Sequence, residues 1–174
     1  DQARPALERA ANSPIELSQH LAESFTEACK MLLNCSGRIV VSGMGKSGHI
    51  GRKISSTLSS TGSPSFFIHP AEASHGDLGM VTKKDIVIAI SYSGESPELN
   101  LIAPTLKRDN IKVIAITGNK NSTLSSLADL TLACQVSQEA CPLGLAPTSS
   151  TTATLALGDA CLLYTSPSPR DGHQ

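Results

Sequence analysis

A stretch of closely spaced hydroxyl residues, Ser91–Glu98 (SYSGESPE), is the clearest place in this sequence where chemistry could occur. It follows the apolar run Ile86–Ile90, and Pro97 within it suits the first position of a helix. Exposed N–H groups at a helix start attract anions, and Gly94 allows the backbone to come close to a ligand. The stretch favours a phosphate ester, with an ordinary capped turn as the alternative. Its hydroxyl donors are Ser91, Ser93 and Ser96.

A second group of reactive side chains lies in His69–Asp77 (HPAEASHGD), directly after another apolar run. It contains two imidazoles, His69 and His75, and two carboxylates, Glu72 and Asp77. The six-residue separation of the histidines matches no standard helical pair of metal ligands, so the spacing gives little support to a catalytic metal. A polar structural role is the plain alternative. Two histidines after one strand favour contact of one with a substrate, in ring opening or proton transfer.

A third polar stretch, Ser137–Thr151, joins a carboxylate to four consecutive hydroxyl residues at a predicted helix start. The hydroxyl residues are Thr148, Ser149, Ser150 and Thr151. They can cradle an anion or simply cap the helix. Glu139 stands among apolar neighbours, and if it is buried its pKa should rise toward the range that is useful for a general base.

The glycine-rich stretch Ser42–Gly48 (SGMGKSG) admits three interpretations. It is not a Walker A loop, because Val40 stands where that loop needs a glycine. Its glycines match the dinucleotide-binding pattern, but that pattern expects an acidic residue about twenty positions later. None occurs before Glu72, which argues against a nicotinamide cofactor. In the third interpretation the stretch lines a sugar-phosphate site, with Lys46 as a local cation.

Short apolar runs alternate with helical patterns along the chain, and these elements must position the polar stretches. The predicted strands are Arg38–Ser42, Ser65–Ile68, Asp85–Ile90, Lys112–Thr117 and Leu130–Val136. The predicted helices are Ile50–Ser60, Pro97–Arg108, Ser122–Leu127 and Thr148–Ala160. This alternation predicts right-handed crossovers and a parallel sheet covered by helices. Ligands bind such sheets at the carboxyl ends of the strands, where all the polar stretches should lie.

The first part of the chain is predicted to be one long helix. Ser13 can cap it, Pro14 suits its first turn and Glu16 completes a capping box. Apolar residues then recur on one helical face at Leu17, Leu21, Phe25, Ala28 and Leu32. This face should pack across the domain or against a partner subunit.

The chain divides into three expected parts: a helical segment over residues 1–36, one α/β domain over residues 37–160 and a tail over residues 161–174. The tail is rich in Ser and Pro and shows no core-forming pattern. It resembles translated adapter sequence at the ends of metagenomic gene fragments. The hypothesis is that the natural sequence stops near Ala160, and a longer gene that continued through the tail would refute it.

Composition limits the classes of function. Apolar residues make up 40% of the chain and aromatic residues 3%, so the core must consist of aliphatic side chains, which suits a buried parallel sheet. The net charge is -1 without a basic run, which argues against nucleic-acid binding, and no apolar stretch approaches the ~20 residues of a membrane span. The cysteines are odd in number and form no CxxC pair, so reduced thiols in a cytoplasmic protein are expected. They are Cys29, Cys35, Cys134, Cys141 and Cys161.

Four strings together resemble the sugar isomerase (SIS) domain. They are Ser42–Gly51 (SGMGKSGHIG), His69–Met80 (HPAEASHGDLGM), Ser91–Ser96 (SYSGES) and Glu139–Thr151 (EACPLGLAPTSST). The third string is typical of SIS domains generally. The second and fourth are similar to those of the arabinose 5-phosphate isomerase group. The resemblance runs from about Leu17 to Ala160.

The resemblance implies a fold, a reaction and an assembly. The fold would be an α/β three-layer sandwich with a five-stranded parallel sheet, flavodoxin-like in type. The reaction would interconvert D-ribulose 5-phosphate and D-arabinose 5-phosphate through a cis-enediol, supplying the octulosonate sugar of lipopolysaccharide or capsule. No cofactor would be required, although zinc can bind and inhibit members of the group. Subunits would form cytoplasmic homotetramers.

The resemblance also implies roles for individual residues. The family's catalytically relevant positions are matched by Lys46, Glu98 and Glu139. Its substrate-contact positions are matched by Gly62, Ser63, His69 and His75, with His69 also a possible zinc ligand. Its phosphate-binding hydroxyls are matched by Ser47, Ser91, Ser93 and Ser96.

An aldose–ketose isomerase moves one proton between two carbons and another between two oxygens. Either Glu139 or Glu98 is the predicted carbon base. His75 would contact the substrate or open its ring, and Lys46 would stabilise oxyanion charge. Relatives continue with a Ser-His-Pro-Gly-Gly segment and usually two CBS domains, which have no counterpart here. Binding of sugar phosphate with poor turnover is therefore one expectation for this fragment.

Two other functions stay open on the sequence. One is a non-catalytic SIS domain that senses sugar phosphates, of the kind fused to transcription regulators. It would need neither HPAEASHGD nor the Glu139 stretch, so their presence disfavours it. The other is an SIS isomerase for a different ketose phosphate, which identification of the aldose product would separate.

Overall fold

A computed structural model describes residues 3–21 and 23–165. The strands are β1 (Ile39–Gly43), β2 (Ser65–Ile68), β3 (Ile86–Ile90), β4 (Lys112–Thr117) and β5 (Leu130–Ala133). The α-helices are α1 (Ala3–Gln19), α2 (Glu23–Leu33), α3 (Gly45–Ser60), α4 (Pro70–Ser74), α5 (Pro97–Arg108), α6 (Thr123–Leu127) and α7 (Ser149–Thr165). A short 3-10 helix, Asp77–Met80, follows α4.

The strands form one five-stranded parallel sheet in the order β2–β1–β3–β4–β5. Every residue of β1 and β3 is buried, as expected of central strands that are covered on both faces. The predicted α/β class, with a five-stranded parallel sheet between helices, is confirmed. The winding direction reverses between β1 and β3, and such a switch point leaves a crevice at the carboxyl ends of both strands.

Helices cover both faces of the sheet. On one face α2, α3 and α7 pack through side chains that include Ile54 and Leu157. On the other face α4, α5 and α6 pack through side chains that include Leu99 and Leu124. Each such side chain contributes about 1.5–3 kcal/mol when fully buried. None of the described helices is both long and apolar enough to cross a membrane.

The N-terminal helix differs from the prediction. α1 already begins at Ala3, so Ser13 and Pro14 lie inside it. Ser13 is buried, and its hydroxyl donates to the carbonyl of Arg9 (2.9 Å) instead of capping a helix. Residues 3–12 are mostly strong helix formers, which carry the helix past Pro14 although the missing N–H removes one backbone bond. α2 begins separately at Glu23, so the prediction of a single helix from Ser13 is wrong.

The last helix runs past the predicted limit of the domain. α7 continues beyond Ala160 to Thr165, and both Cys161 and Leu162 are buried in the core. These two side chains are core-forming residues, contrary to the pattern read from the sequence. The foreign origin of residues 161–174 stays a hypothesis, as do the proposed limits of the three parts. Residues 166–174 lie outside the described residues.

The remaining elements match their predictions closely, with two informative shifts. α3 begins at Gly45 rather than at Ile50, so the glycine-rich stretch forms its first turn. β5 ends at Ala133 rather than at Val136, and the N–H of Val136 donates to the phenol of Tyr92 instead of to a strand.

The cysteines form no disulfide, and all of them lie in the described part of the chain. Cys29, Cys134 and Cys161 are buried. Burial raises the pKa of each of these three thiols, which disfavours the reactive thiolate form.

Asp85 anchors the turn that enters β3. It is 3% exposed, and its carboxylate accepts bonds from the N–H of Arg38 (2.6 Å) and the N–H of Thr82 (2.7 Å). Burial alone would raise the pKa of this carboxyl. These two bonds, the Thr82 hydroxyl and the charge of Arg38 outweigh burial and hold the pKa below its ordinary value.

Asp85→Ala should therefore destabilise the domain in a pH-dependent way. Each hydrogen bond to a charged group contributes about 1.5–3 kcal/mol, so the free energy of unfolding should fall by at least that much at pH 7. Because the folded pKa lies below the unfolded value of about 3.9, this contribution is complete above that pH and is lost as the pH falls through the folded pKa. Urea melts at pH 7 and pH 3 check this. An undiminished difference at pH 3 would contradict the charge effect, and the exposed Asp109→Ala serves as control.

Candidate functional site

The carboxyl edge of the sheet is where three long helices begin. α3 follows β1 and α5 follows β3, so both start at this edge. α7 runs beside α3 in the same direction: Thr154 near its start contacts the thiol of Cys134 just after β5 (3.6 Å), and Gly158 packs on Ile54 of α3. The N-terminal ends of all three helices therefore face one edge, where the positive ends of their dipoles favour an anionic group.

The loop Ser91–Ser96 after β3, called the serine loop below, is anchored by its own side chains. The N–H of Gly94 donates to the carbonyl and to the hydroxyl of Ser91, at 3.0 and 3.1 Å. The carboxylate of Glu95 accepts the N–H of Thr123 at the start of α6 (2.8 Å), and this bond lowers the pKa of Glu95. The loop is thus held by its own internal bonds and by the start of α6.

Gly94 is the position at which the serine loop requires glycine. Its φ is +70°, in the left-handed region that other residues rarely adopt. A Cβ at this position would overlap the side chain of Ser122, the N-cap of α6. The carbonyl of Gly94 accepts the N–H of Leu124 (3.0 Å) and the side-chain amide of Asn100 (3.3 Å). Glycine at this position allows the backbone of the serine loop to pack closely against α6.

The glycine-rich stretch makes a tight passage from β1 into α3. A Cβ on Gly48 would lie 2.6 Å from the carbonyl oxygen of Gly43, and one on Gly43 would lie 3.1 Å from that of Ile90. Both glycines let α3 begin against the ends of β1 and β3. Lys46 is exposed in the first turn of α3, with Ser47 half-buried beside it. Lys46 therefore places a cation at the carboxyl edge of the sheet.

Glu98 lies in the first turn of α5, next to His69. Its own backbone N–H and the hydroxyl of Ser96 (2.9 Å) bond to its carboxylate, and these bonds, with the neighbouring imidazole, hold the pKa of Glu98 below its ordinary value. His69 is the N-cap of α4, and its Nδ1 is buried without a hydrogen-bond partner among the described residues. A buried nitrogen left unpaired in this way is available to a ligand.

His75, the second histidine, lies on the surface, and the described residues form no cluster of metal ligands. His75 caps the C-terminal end of α4 and is exposed to solvent. Over residues 3–21 and 23–165, no group of three or more His, Cys, Asp or Glu side chains is placed to hold a metal ion. A zinc site needs three or four protein ligands, so His69 alone does not form one.

Glu139 caps the start of α7 and is half-buried. Its carboxylate accepts the N–H of Thr148 (2.7 Å), the hydroxyl of Thr148 (3.0 Å) and the N–H of Ser150 (3.3 Å). Burial raises the pKa of Glu139, but the Ser150 hydroxyl and these bonds outweigh burial and lower it below the ordinary value. The prediction of a raised pKa is wrong, because helix N–H groups surround the carboxylate. Glu139 is therefore ionised at neutral pH, the form that a base requires.

Ser149, at the start of α7, has a buried hydroxyl that forms no hydrogen bond with another group in the described chain. The residue is 0% exposed, and its Oγ lacks a hydrogen-bond partner within residues 3–21 and 23–165. The hydroxyl of Ser150 is also buried and lies beside Glu139. Thr148 and Thr151 instead use their hydroxyls in internal bonds. A buried unpaired hydroxyl costs about 1–3 kcal/mol, so a polar ligand that bonded to Ser149 would relieve a real penalty.

Gly62 and Ser63 lie away from this edge. They form the turn between α3 and β2, where the N–H of Ser63 donates to the carbonyl of Leu58 (3.0 Å). This turn is at the amino ends of the strands. The fold therefore gathers the other predicted site residues at the carboxyl edge and does not bring Gly62 and Ser63 to them within one chain.

Sequence reasoning missed three residues that hold the site together. Tyr92 accepts the N–H of Val136 through its phenol (3.2 Å), Asn100 bonds to the serine loop, and Ser122 packs against Gly94. The partner of Tyr92 is 44 residues distant along the chain, so no local pattern could have revealed it. Asn100 lies one turn after Pro97 on α5, and this position alone gives only a weak indication that it belongs to the site.

Residues 32–164 match the family described as the SIS domain, which is well over half of this chain. The chain belongs to the SIS domain family. This SIS domain is 59% identical over 145 residues to arabinose 5-phosphate isomerase KdsD of Escherichia coli strain K12. It is 57% identical over 144 residues to arabinose 5-phosphate isomerase KdsD of Pseudomonas aeruginosa. Each match covers 83% of this chain and 44% of the relative, so the SIS domain described here spans less than half of these relatives.

Solved structures share the fold of this SIS domain. Protein c3406 of E. coli CFT073, solved in complex with A5P, has a TM-score of 0.90 and 42% identity, covering 92% of this chain and 86% of that one. NanR of Vibrio vulnificus, solved with ManNAc-6P, has a TM-score of 0.84 and 20% identity, covering 95% of this chain and 62% of that one. At 20% identity the likeness to NanR concerns the fold alone.

Proposed function

We propose that this SIS domain is the catalytic domain of an aldose–ketose isomerase that interconverts D-ribulose 5-phosphate and D-arabinose 5-phosphate. Identities of 57–59% to arabinose 5-phosphate isomerases over 83% of the chain support the reaction. The A5P complex of a protein 42% identical to it supports the ligand. The observation that carries the proposal is the convergence, at one edge of the sheet, of the serine loop, two carboxylates with lowered pKa and the unpaired hydroxyl of Ser149.

In this proposal the serine loop and the starts of α3 and α5 hold the phosphate. N–H groups at the start of α3 and the nearby hydroxyls supply donors to the phosphate oxygens. The hydroxyls are those of Ser47, Ser91, Ser93 and Ser96. Ser149 and Ser150 bind hydroxyl groups of the sugar, while Thr148 and Thr151 shape the start of α7 because their hydroxyls are already bonded. His69 offers its unpaired Nδ1 to the same ligand.

The proton transfers fall to the carboxylates and to Lys46. One carboxylate, Glu139 or Glu98, removes the proton from C1 of the ketose while the carbonyl oxygen at C2 takes up a proton from water, which gives the cis-enediol. The same carboxylate returns its proton to C2 as O1 loses one to water, which gives the aldose. Lys46 stabilises the negative charge that develops on the oxygens, and His75 contacts the open-chain sugar or promotes ring opening. Both carboxylates have a lowered pKa and so are ionised at pH 7, the form that a base requires.

The test is to incubate this chain with D-ribulose 5-phosphate and to identify the aldose by NMR. D-arabinose 5-phosphate is expected, and unphosphorylated D-ribulose should not react. Formation of the C2 epimer, D-ribose 5-phosphate, would contradict the assigned product. Tight binding of D-arabinose 5-phosphate without any conversion or exchange at C2 would favour a sensing domain.

Ser149→Ala should weaken ligand binding without weakening the fold. Because the hydroxyl has no partner when the site is empty, its removal should leave the melting temperature unchanged or raise it. A hydrogen bond to the ligand contributes about 0.5–1.5 kcal/mol, so the Kd for D-arabinose 5-phosphate should rise roughly 2–10-fold. Calorimetric titration measures it. Thr152→Val, which removes a hydroxyl that is bonded inside α7, is the matched control and should bind like the wild type.

The proposal extends to assembly and setting. The protein works in the cytoplasm as a homo-oligomer, a tetramer by family resemblance, in the supply of a lipopolysaccharide or capsule sugar. It needs no cofactor for the reaction, since carboxylates and cations of the chain carry the proton transfers. Size measurement of the purified chain tests the assembly, and activity after chelator treatment tests the cofactor.

A further inference from the structure

Tyr92 connects the serine loop to the segment that leads to Glu139. Its phenol accepts the N–H of Val136 (3.2 Å), three residues before Glu139. Its backbone carbonyl accepts the N–H of Gly118 (2.9 Å) and the hydroxyl of Thr117 (3.2 Å) at the end of β4. One residue of the serine loop is thus bonded to the chain that follows each of the next two strands of the sheet.

The ring of Tyr92 is confined as well as bonded. A Cβ at Gly118 would lie 2.6–2.9 Å from three atoms of the ring, so only glycine leaves room for the ring in this position. The ring also packs against the buried cluster that includes Ile116 and Leu132. The phenol cannot swing away independently, and a shift of the Tyr92 backbone must carry it along.

Val136 lies where the chain has left the sheet. β5 ends at Ala133, and residues 134–148 include no helix or strand. Glu139 is therefore held from both sides. Before it, the N–H of Val136 bonds to the phenol and the hydroxyl of Ser137 bonds to Glu16. After it, its carboxylate bonds to Thr148 and Ser150, and the N–H groups of Ala140 and Cys141 donate to the hydroxyl of Thr148.

We propose that Tyr92 is a positioning residue that couples phosphate binding at the serine loop to the placement of Glu139. The inference rests on the function proposed above. A phosphate bound by Ser91 and Ser93 would be held on both sides of Tyr92 and would fix its backbone, its ring and therefore the N–H of Val136. Binding of a phosphorylated sugar would then hold Glu139 in place, and binding of an unphosphorylated sugar would not.

Amide hydrogen exchange of the full chain, with and without D-arabinose 5-phosphate, tests the coupling. In the wild type the ligand should slow exchange both in the serine loop and in residues 136–148. Tyr92→Phe keeps the ring and the charge but loses the acceptor for Val136. In this variant the ligand should still slow exchange in the serine loop. In residues 136–148 the slowing by the ligand should be smaller by roughly 2–10-fold, the range expected for one hydrogen bond. The kcat for D-ribulose 5-phosphate should fall by a similar factor with KM unchanged.

A second variant and a control separate coupling from loss of structure. Gly118→Ala should displace the ring and cause the same loss of ligand-dependent protection. Ser59→Ala, which removes a hydroxyl bonded to Ser65 at the opposite edge (2.8 Å), should behave like the wild type. If Tyr92→Phe keeps the full ligand effect in residues 136–148, or raises exchange there equally with and without ligand, the coupling is wrong. If the wild type shows no ligand protection in the serine loop, the proposed function itself fails.

Discussion

Glu139→Gln is expected to slow the exchange of the C2 proton of D-arabinose 5-phosphate with solvent by about 10²–10⁴-fold. The amide keeps an oxygen that can accept the N–H groups of Thr148 and Ser150, so the start of α7 should stay capped while the base is lost. NMR in deuterium oxide at saturating ligand measures the exchange, and a thermal melt verifies that the fold persists.

Two further variants decide whether Glu139 is the carbon base. Glu95→Gln removes another carboxylate that accepts a helix N–H at the same edge, and it should slow exchange far less. Glu98→Gln tests the alternative base. If Glu139→Gln leaves exchange at C2 intact while Glu98→Gln abolishes it, the base is Glu98 and Glu139 serves to cap α7.

Gly94→Ala is expected to disrupt the serine loop and to weaken binding of sugar phosphate by more than tenfold. An alanine at φ +70° costs about 1–2 kcal/mol from its left-handed backbone alone. Its Cβ would also overlap Ser122, and relieving such an overlap typically costs about 1–3 kcal/mol. Since 1.4 kcal/mol corresponds to about tenfold in affinity, displacement of the loop should be plain in a calorimetric titration with D-arabinose 5-phosphate.

Gly144→Ala is the matched control for Gly94→Ala. Gly144 has nearly the same backbone angle, φ +63°, but a Cβ there meets nothing within 4 Å. It should cost about 1–2 kcal/mol of stability and leave phosphate affinity close to that of the wild type. Equal losses of affinity in the two variants would show that backbone strain, and not the packing of the serine loop on α6, sets the effect.

The central part of the fold was predictable because its signals are local. β2, β4 and α5 begin and end at the predicted residues, since each has a compact apolar run or a Pro-initiated helical pattern. The prediction for the N-terminal helix failed for a related reason. Ser13-Pro14 is a good local start signal, but the helix formers before it allow α1 to begin ten residues earlier, at Ala3.

The site was predictable in its location and less so in its electrostatics. Placement of the polar stretches at strand ends follows from the parallel sheet, and the structure gathers Ser91, Glu98 and Glu139 at one edge. The pKa of Glu139 was mispredicted because its partners, the N–H groups of Thr148 and Ser150, are nine and eleven residues further on and meet it only through the fold of the loop. The bond between Tyr92 and Val136 requires two strands to be in place, and no spacing in the sequence encodes it.

The parallel course of α3 and α7 has an electrical consequence. Each helix carries about half a positive elementary charge at its N-terminal end, and at α7 the Glu139 carboxylate already balances this charge. The start of α3 instead carries Lys46 in its first turn, so its positive charge remains to attract a dianion. A chain with a net charge of -1 can in this way draw a phosphorylated sugar to one small area without a basic surface to guide it.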